Sequence, residues 1–473
     1  MLPGDLTAAE KALVSAVDAG GWAEAGGADV RAVVVAALVV RGGERPDGVA
    51  PALRLRGAVV TGTLDVSYRE VAVPVHFDRC RFTAAPQLTG ASTRTWECSE
   101  CELPGLEARL LAVRGDLRLS GSVISGRSSL ENADISGTLH LSRAKLVNPG
   151  DRALSAGGVI VGGGVVGRGG LRVDGETRFI GARVLGGILL EQAHFHRPGG
   201  VALCLDDVQT NRLRCADGFR VDGQLLLRGA QVSGEVSFHG ARLHAGDRAL
   251  RARGLQAGEL ILMPAEVDGL VDLSRAHVGA LRDAAERWPA AMRLDGFTYD
   301  HLIPLGAPIG VAARCRWLDR DSEAYRPQPY QQLAAYYRRL GHDDDARRVL
   351  LAKERRRRAT LHPLRRLGGY LLDALVGYGY RSWLAGAWLT VLVALGTTVF
   401  TGWAPHPLDP EHHPRFSALV YTVDLLIPIG AFGQRTAFDP VGATEWVADG
   451  LIAAGWILAT ALVAGVSRSL GRD

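Results

Sequence analysis

The sequence predicts a mainly β protein: a parallel β-helix with about 22 residues per coil, then a helical hairpin and a C-terminal two-helix membrane unit. Three observations predict this fold. Glycines recur every eleven residues, as at Gly115, Gly126 and Gly137. Apolar or small residues follow each glycine at fixed offsets. An uncharged apolar segment, 383–403, is long enough to cross a membrane.

The repeat occupies residues 51–285. After Gly126, its four slots hold Ser128, Leu130, Ala133 and Ile135. Residues two apart in a strand point to the same side, so each pair predicts a short strand and each interval a corner. Four such faces make one coil, and coils stack at about 4.8 Å through parallel backbone hydrogen bonds. The segment 133–137, Ala-Asp-Ile-Ser-Gly, resembles the unit of pentapeptide-repeat proteins in degenerate form.

A longer period is superimposed on the repeat. The segment 150–154, Gly-Asp-Arg-Ala-Leu, returns at 246–250, with the related segment 199–203 halfway between. Two coils plus a loop of about four residues account for this spacing. We therefore expect loops to project from one edge at every second coil. That edge is a candidate binding surface, and tolerated turns are the alternative.

Residues 1–50 predict a helical cap that covers the open end of the β-helix. The segment 5–18 reads as a helix, with Thr7 and Glu10 spaced as a capping box. The segment 29–41 reads as a second, very apolar helix. No basic region followed by an apolar core begins the chain, which predicts a cytoplasmic location for the repeat.

One glycine motif formally matches a dinucleotide-binding fingerprint. Gly162, Gly164 and Gly167 follow the apolar run 159–161. Nucleotide binding needs a helix N-terminus immediately afterwards to hold the pyrophosphate. The eleven-residue pattern resumes instead, which favours turns of the coil. We expect no bound cofactor.

Cysteine and histidine pairs have structural interpretations as well as chemical ones. The repeat phase places Cys98 and Cys101 in interior slots, and Cys80 occupies the slot of Cys101 one coil earlier. Cys80 and Cys101 are therefore predicted as stacked core thiols, with a redox pair as the alternative. His194 and His196 flank inward-facing Phe195, so both rings point outward. A solvated face is favoured, and we predict no metal site.

Residues 286–362 predict a Pro/Gly-rich connection and one tetratricopeptide-like helix pair. Tyr330 and Tyr337 belong to the first helix, and Asp343 begins the second. A single pair cannot bury its own apolar face, so we expect it to cap the β-helix. A peptide-binding groove is the alternative.

A basic collar precedes the apolar segment. Its predicted lipid-facing members are Lys353, Arg355, Arg356, Arg357, Arg358, Arg365, Arg366 and Arg381. Such a run also suits nucleic acid, but the apolar sequence that follows favours anionic lipid. The overall balance of 54 Lys+Arg against 50 Asp+Glu, a net charge of +4, does not indicate nucleic-acid binding.

Residues 363–473 predict an amphipathic helix and the membrane unit, with spans at about 383–403 and 447–466. Basic residues flank both spans on the side away from the intervening loop. We expect the unit to lie in the inner (cytoplasmic) membrane of the cell, and the positive-inside rule then places both termini in the cytoplasm. Asp424 interrupts the apolar segment 416–432, which could cross, re-enter or lie on the membrane. An ionisable residue at that depth is a candidate functional residue.

Three segments, 329–339, 376–381 and 420–428, resemble an actinobacterial family catalogued as membrane-associated oxidoreductases. The resemblance covers nearly the whole chain and is strongest after Pro327. It implies redox activity, and it carries over no catalytic residue. The residues themselves favour a non-enzymatic scaffold that presents the β-helix to a cytoplasmic protein partner, with homo-oligomerisation through the membrane unit. A pore or sensor gated by the β-helix is the alternative.

Overall fold

The computed structural model describes residues 4–41, 51–321, 325–380, 383–409, 414–427, 429 and 432–470. The chain forms two compact units, Met1–Gln332 and Leu333–Asp473. The first unit is a parallel β-solenoid of about eleven turns with about 22 residues per coil, which confirms the predicted parallel β-helix. The second is helical.

Apolar side chains fill the interior of the solenoid in continuous columns. Leu117 pairs with Leu139, Leu139 with Val165, Val165 with Ile188, and Ile188 with Leu213. All five are buried. Each column stacks like on like, so an inward position accepts an apolar residue on every coil. This requirement produces the repeat seen in the sequence.

Two long parallel sheets form the walls of the solenoid. Strands of the first sheet are Ala23–Glu24, Leu53–Arg56, Glu70–Val71, Val75–Asp78, Ser92–Thr93, Trp96–Ser99, Ala112–Val113, Leu117–Arg118, Asp134–Ile135, Leu139–His140, Ile160–Val161, Gly164–Val166, Arg183–Val184, Gly187–Leu189, Gln209–Thr210, Leu213–Arg214, Gln231–Ser237, Gln256–Leu262, His277–Asp283 and Thr298–Pro304. Strands of the second sheet are Asp29–Arg31, Val59–Thr61, Arg81–Phe82, Glu102–Leu103, Leu106–Glu107, Val123–Ser125, Ser128–Ser129, Lys145–Ser155, Arg172–Arg178, His194–Cys204, Arg220–Leu226, Arg242–Arg251, Glu266–Asp272 and Met292–Arg293.

One corner of each coil holds a residue in the left-handed backbone region. Successive coils place Gly90, Leu110, Asn132 and Gly158 there, each donating its amide to the next coil. Glycine and asparagine tolerate this conformation, whereas a leucine side chain is strained in it. Leu110 is exposed, so its side chain gains little from packing in compensation.

Replacing Leu110 with glycine is expected to raise the free energy of unfolding by about 1 kcal/mol, because the left-handed strain is relieved. Leu110→Ala is the control, since alanine keeps the Cβ atom that causes the strain. Chemical denaturation of both variants checks this. Equal stabilisation by alanine and glycine would contradict the backbone explanation.

The N-terminal end of the solenoid is covered by α1 (Ala8–Ala19) and α2 (Ala32–Val40). The predicted capping box of α1 is confirmed, with Thr7 and Glu10 each accepting from the other's backbone amide. The predicted helix 29–41 is wrong at its start, because Asp29–Arg31 is a strand paired with Val59–Thr61. Ala23–Glu24 also pairs with Leu55 and Arg56, so the coils begin before residue 51.

Glu10 joins this cap to the first coil. Its buried carboxylate accepts hydrogen bonds from the Arg31 amide at 3.0 Å and from the Arg31 guanidinium at 2.8 and 2.7 Å. The Arg31 side chain lowers the pKa of Glu10 from 4.5 to about 2, against the opposing effect of burial.

A carboxyl group with a depressed folded-state pKa stabilises the protein above its unfolded pKa and loses that contribution as pH falls towards the folded value. We therefore expect the denaturation midpoint of the wild type to fall between pH 5 and pH 2 more steeply than that of Glu10→Gln. Urea denaturation across this range checks the expectation. Parallel pH profiles for the two proteins would contradict it.

The C-terminal end extends further than residue 285, where the sequence pattern fades. Thr298–Pro304 still pairs with His277–Asp283, so the last coil ends at Pro304. A further helix, α3 (Val311–Leu318), was not predicted from the sequence. The side chains of Gln328 and Gln332 donate to the carbonyls of Phe297 and Tyr299, so the start of α4 (Gln328–Arg339) contacts this coil.

The helical unit contains most of α4 and then α5 (Asp343–Ala359), α6 (Pro363–Val376), α7 (Trp383–Gly402), α8 (Ala418–Leu426), α9 (Gln434–Ala437) and α10 (Ala443–Leu470). The predicted helix pair corresponds to α4 and α5, with Asp343 beginning the second helix. A short antiparallel pair, His406–Pro407 with Phe438–Asp439, lies beyond α7. An apolar cluster of Phe400, Tyr421, Leu425, Phe438 and Leu451 joins α7, α8 and α10.

Among the described residues, α7 is the helix that is long and apolar enough to cross a membrane. Only 11% of its most apolar window is buried, and Trp383, Trp388, Val391 and Leu395 are exposed. The second predicted span, 447–466, lies within α10, whose side chains from 461 onward are described only at Val463. That span stays a prediction.

Candidate functional site

Loops interrupt the second sheet at alternate coils, as the long period predicts. Register shifts follow Val147, His196 and His244, where each strand is longer than the partner strand on the next coil. The extra residues lie at 148–151, 197–200 and 245–247. Each loop has a glycine with positive φ, namely Gly150, Gly199 and Gly246. The loops therefore project from one face of the solenoid.

Adjacent loops are tied together by a charged side chain. Arg197, in the second loop, donates to the carbonyl of Gly150 in the first loop at 3.4 Å. It also pairs with Glu176 on the intervening coil. Glu176 is buried and pairs with Arg178 as well, at 2.6 Å. Two loops and the coil between them thus form one supported surface.

Next to the loops, the outer face of this sheet carries two columns of ionisable residues. One column alternates carboxylates and imidazoles on successive coils: Asp174, His196, Asp222, His244 and Asp268. The neighbouring column is basic over five coils and then acidic: Lys145, Arg172, His194, Arg220, Arg242 and Glu266. We call the loops and both columns together the loop face.

The columns meet most closely at His194, His196 and Asp222. Oδ2 of Asp222 lies 2.7 Å from Nε2 of His194 and 3.3 Å from Nδ1 of His196. Nε of Arg220 donates to both carboxylate oxygens, at 3.0 and 3.1 Å. Burial raises the pKa of Asp222, but bonds from His194, Arg220 and His196 outweigh it and lower the pKa to about 2. The carboxyl group is therefore ionised at neutral pH.

Sequence reasoning treated His194 and His196 as a solvated pair and missed Asp222. The structure brings Asp222 onto His196 from the next coil, across the loop 197–200. The loop lengthens the spacing between them beyond one regular coil, so the eleven-residue pattern alone does not align the two residues. Counting one regular coil plus the residues inserted at 197–200 from His196 leads to Asp222, so this count identifies the partner.

The predicted thiols meet inside the solenoid. Cys80 and Cys101 are buried, and the Cys80 amide donates to Sγ of Cys101 at 3.4 Å. All six cysteines of the chain are described, and each is a free thiol. The side-chain hydrogen bond with Cys101 and burial both raise the pKa of the Cys80 thiol. A thiol with a raised pKa is a poor nucleophile, so the geometry favours packing over redox chemistry.

The glycine motif forms a corner of the coil. Within residues 159–178, Gly162 and Gly163 make a turn and Gly164–Val166 is a strand, with no helix after them. Gly115, Gly137, Gly163 and Gly186 stack in a column. The amide of each of the last three donates to the carbonyl of the glycine one coil earlier. The nucleotide-binding alternative therefore lacks the helix that it requires.

Several side chains of the basic collar make contacts within the helical unit. Lys353 does not face lipid, because it is buried and lies 3.4 Å from Glu354. Arg355 and Arg358 both pair with Asp373, at 3.0 and 3.1 Å. Arg355, Arg356, Arg357 and Arg366 are exposed. Arg357 also pairs with Glu354 at 3.5 Å, and Arg366 donates to backbone carbonyls. Arg381 and the side chain of Arg365 lie outside the described residues.

Asp424 is fully buried in α8. Its carboxylate accepts from the amide of Phe432 at 3.0 Å and from the amide of Arg435 at 2.8 Å. The aspartate thus joins α8 to the residues at the start of α9.

The family resemblance stays a prediction, and so does the redox activity that it implies. An absorbance spectrum of the purified protein tests that activity, because bound flavin or haem is coloured. Comparison of the chain with protein-family models, curated proteins and solved structures found no match.

Proposed function

We propose that this protein is a membrane-anchored scaffold whose loop face binds a cytoplasmic protein partner. The observation that carries the proposal is the packing of the solenoid. Apolar side chains fill its interior coil after coil, so a ligand can bind the solenoid at its outer surface but not inside it. Solenoids characteristically bind partners along extended faces of this kind.

The loop face departs from the regular repeat, because residues are inserted there at alternate coils. Its loops are longer than the coil needs, and Arg197 and Glu176 hold two of them in fixed positions. Charged residues beside the loops present both signs in an ordered array. A partner with complementary charge would be oriented by this array.

Membrane attachment is supported by α7 and the residues before it. A soluble core helix of this apolar character would be buried, whereas most of α7 is exposed. The exposed Arg356, Arg357 and Arg366 would contact anionic lipid headgroups. We propose the inner membrane, with both termini cytoplasmic.

Two experiments test the scaffold. The full chain is expected to float with vesicles of mixed neutral and anionic lipid, and Leu389→Glu with Val391→Glu in α7 is expected to reduce flotation. A photo-crosslinking residue at exposed Pro198, in the second loop, is expected to yield a discrete protein adduct in native membranes. The same residue at exposed Leu185, between two strands of the other sheet, is the matched control. Equal adducts at both positions would contradict a specific loop face.

A pore or sensor is the second candidate, and the position of Asp424 favours it. A short helix, α8, packs between two longer apolar helices, and its buried carboxylate accepts from the amides of Phe432 and Arg435. Planar-bilayer conductance compares the wild type with Asp424→Asn, which keeps the shape but removes the charge. Conductance that changes in the variant would support a pore, and a silent wild type would reject it.

A further inference from the structure

We infer that His194, His196 and Asp222 form a binding site for a divalent transition-metal ion of the zinc class. Each residue offers one ligand atom, and the three atoms lie within 4.8 Å of one another. The inference is independent of the proposed scaffold, because it concerns an ion and three side chains of one unit.

The distances suit a metal ion with a small rearrangement. Zinc binds histidine nitrogen and carboxylate oxygen at about 2.0–2.2 Å, so tetrahedral ligands lie roughly 3.3 Å apart. The Asp222 oxygen is 2.7 Å from His194 and 3.3 Å from His196. The imidazole rings are nearly perpendicular, with centroids 5.9 Å apart. Slight rotation of exposed His196 would bring its nitrogen to the ion.

The surroundings already hold the carboxylate in place. Asp222 is largely shielded by its neighbours, and Arg220 donates to its second oxygen at 3.0 Å. With Oδ2 bound to an ion, the bond from Arg220 to Oδ1 would remain and orient the ligand. Outer-shell partners of this kind commonly support metal ligands. The strand pairing of His196 with Asp222 fixes both backbones, so little ordering is needed on binding.

The donor set indicates which ions would bind. Two imidazoles and one carboxylate suit zinc, nickel or cobalt, whereas magnesium and calcium prefer oxygen ligands only. Three protein ligands leave a coordination position for water or for a group from a partner. The exposure of His196 keeps that position accessible to solvent.

The test is calorimetric titration of Zn²⁺ into the full chain in detergent, without a polyhistidine tag and after treatment with a chelator. We expect one saturable site per chain that 1 mM Mg²⁺ does not occupy. His194→Ala and His196→Ala are each expected to weaken Zn²⁺ binding about tenfold or more, and Arg220→Gln about tenfold. Co²⁺ should give visible absorption bands that both histidine variants lose.

His239→Ala is the matched control, because His239 is exposed and likewise lies near a carboxylate, Asp217 at 3.4 Å. Its Zn²⁺ affinity should equal that of the wild type. Absence of saturable binding, or binding that the His194 and His196 variants leave unchanged, would overturn the inference. Thermal unfolding without metal verifies that each variant is folded, and His196→Ala is the decisive variant because His196 is exposed.

Discussion

Replacing Asp283 with alanine is expected to lower the free energy of unfolding by about 3–5 kcal/mol, because it leaves a buried guanidinium without its partner. Asp283 and Arg314 are 1% and 2% exposed. Their side chains form two hydrogen bonds, at 2.6 and 2.8 Å. Asp283 also accepts from the indole of Trp288 at 2.8 Å. The pair joins α3 to the end of the solenoid, so its loss should expose the last coils first.

Hydrogen exchange and chemical denaturation measure this effect. The matched control is the double variant Asp283→Leu with Arg314→Leu, which removes both charges together. It should be much closer to the wild type in stability, because a buried ion pair can be replaced by apolar residues at little cost. A single variant as stable as the wild type would show that the pair does not hold the end.

The second large effect is expected at Gly163, in the glycine column of the first sheet. A Cβ atom there would lie 2.5 Å from Oγ1 of Thr138 and 2.7 Å from the carbonyl oxygen of Gly137. The carbonyl belongs to the hydrogen bond that stacks these coils, so it cannot move without weakening the stack. Gly163→Ala is expected to destabilise the protein by about 2–3 kcal/mol.

Gly157 provides the control for this substitution. Its added Cβ would meet only the Ile180 carbonyl, at an ordinary 3.7 Å, and its φ is not positive. Gly157→Ala should therefore change the stability by less than about 0.5 kcal/mol. Thermal denaturation of both variants makes the comparison. Similar melting temperatures for the two would refute the close approach of the coils.

The solenoid could be predicted because each inward slot makes the same demand on every coil. Leu139 and Val165 are neighbours in space and also equivalent in the repeat, so the chain displays their relation as a period. The capping box could be predicted equally well, since Thr7 and Glu10 interact within one helical turn. The ends of the solenoid could be predicted less well. Residues 29–31 look helical by composition, but pairing with residues 59–61 makes them a strand.

The coil, its stacking period, the alternate loops and the apolar character of 383–403 could all be predicted from the residue pattern. Which outward side chains meet, such as Asp222 with His196, follows only from the folded structure. The physical reason is the difference between the two faces of a strand. Inward positions share one environment and therefore repeat, whereas outward contacts depend on the register between coils, which each inserted loop shifts.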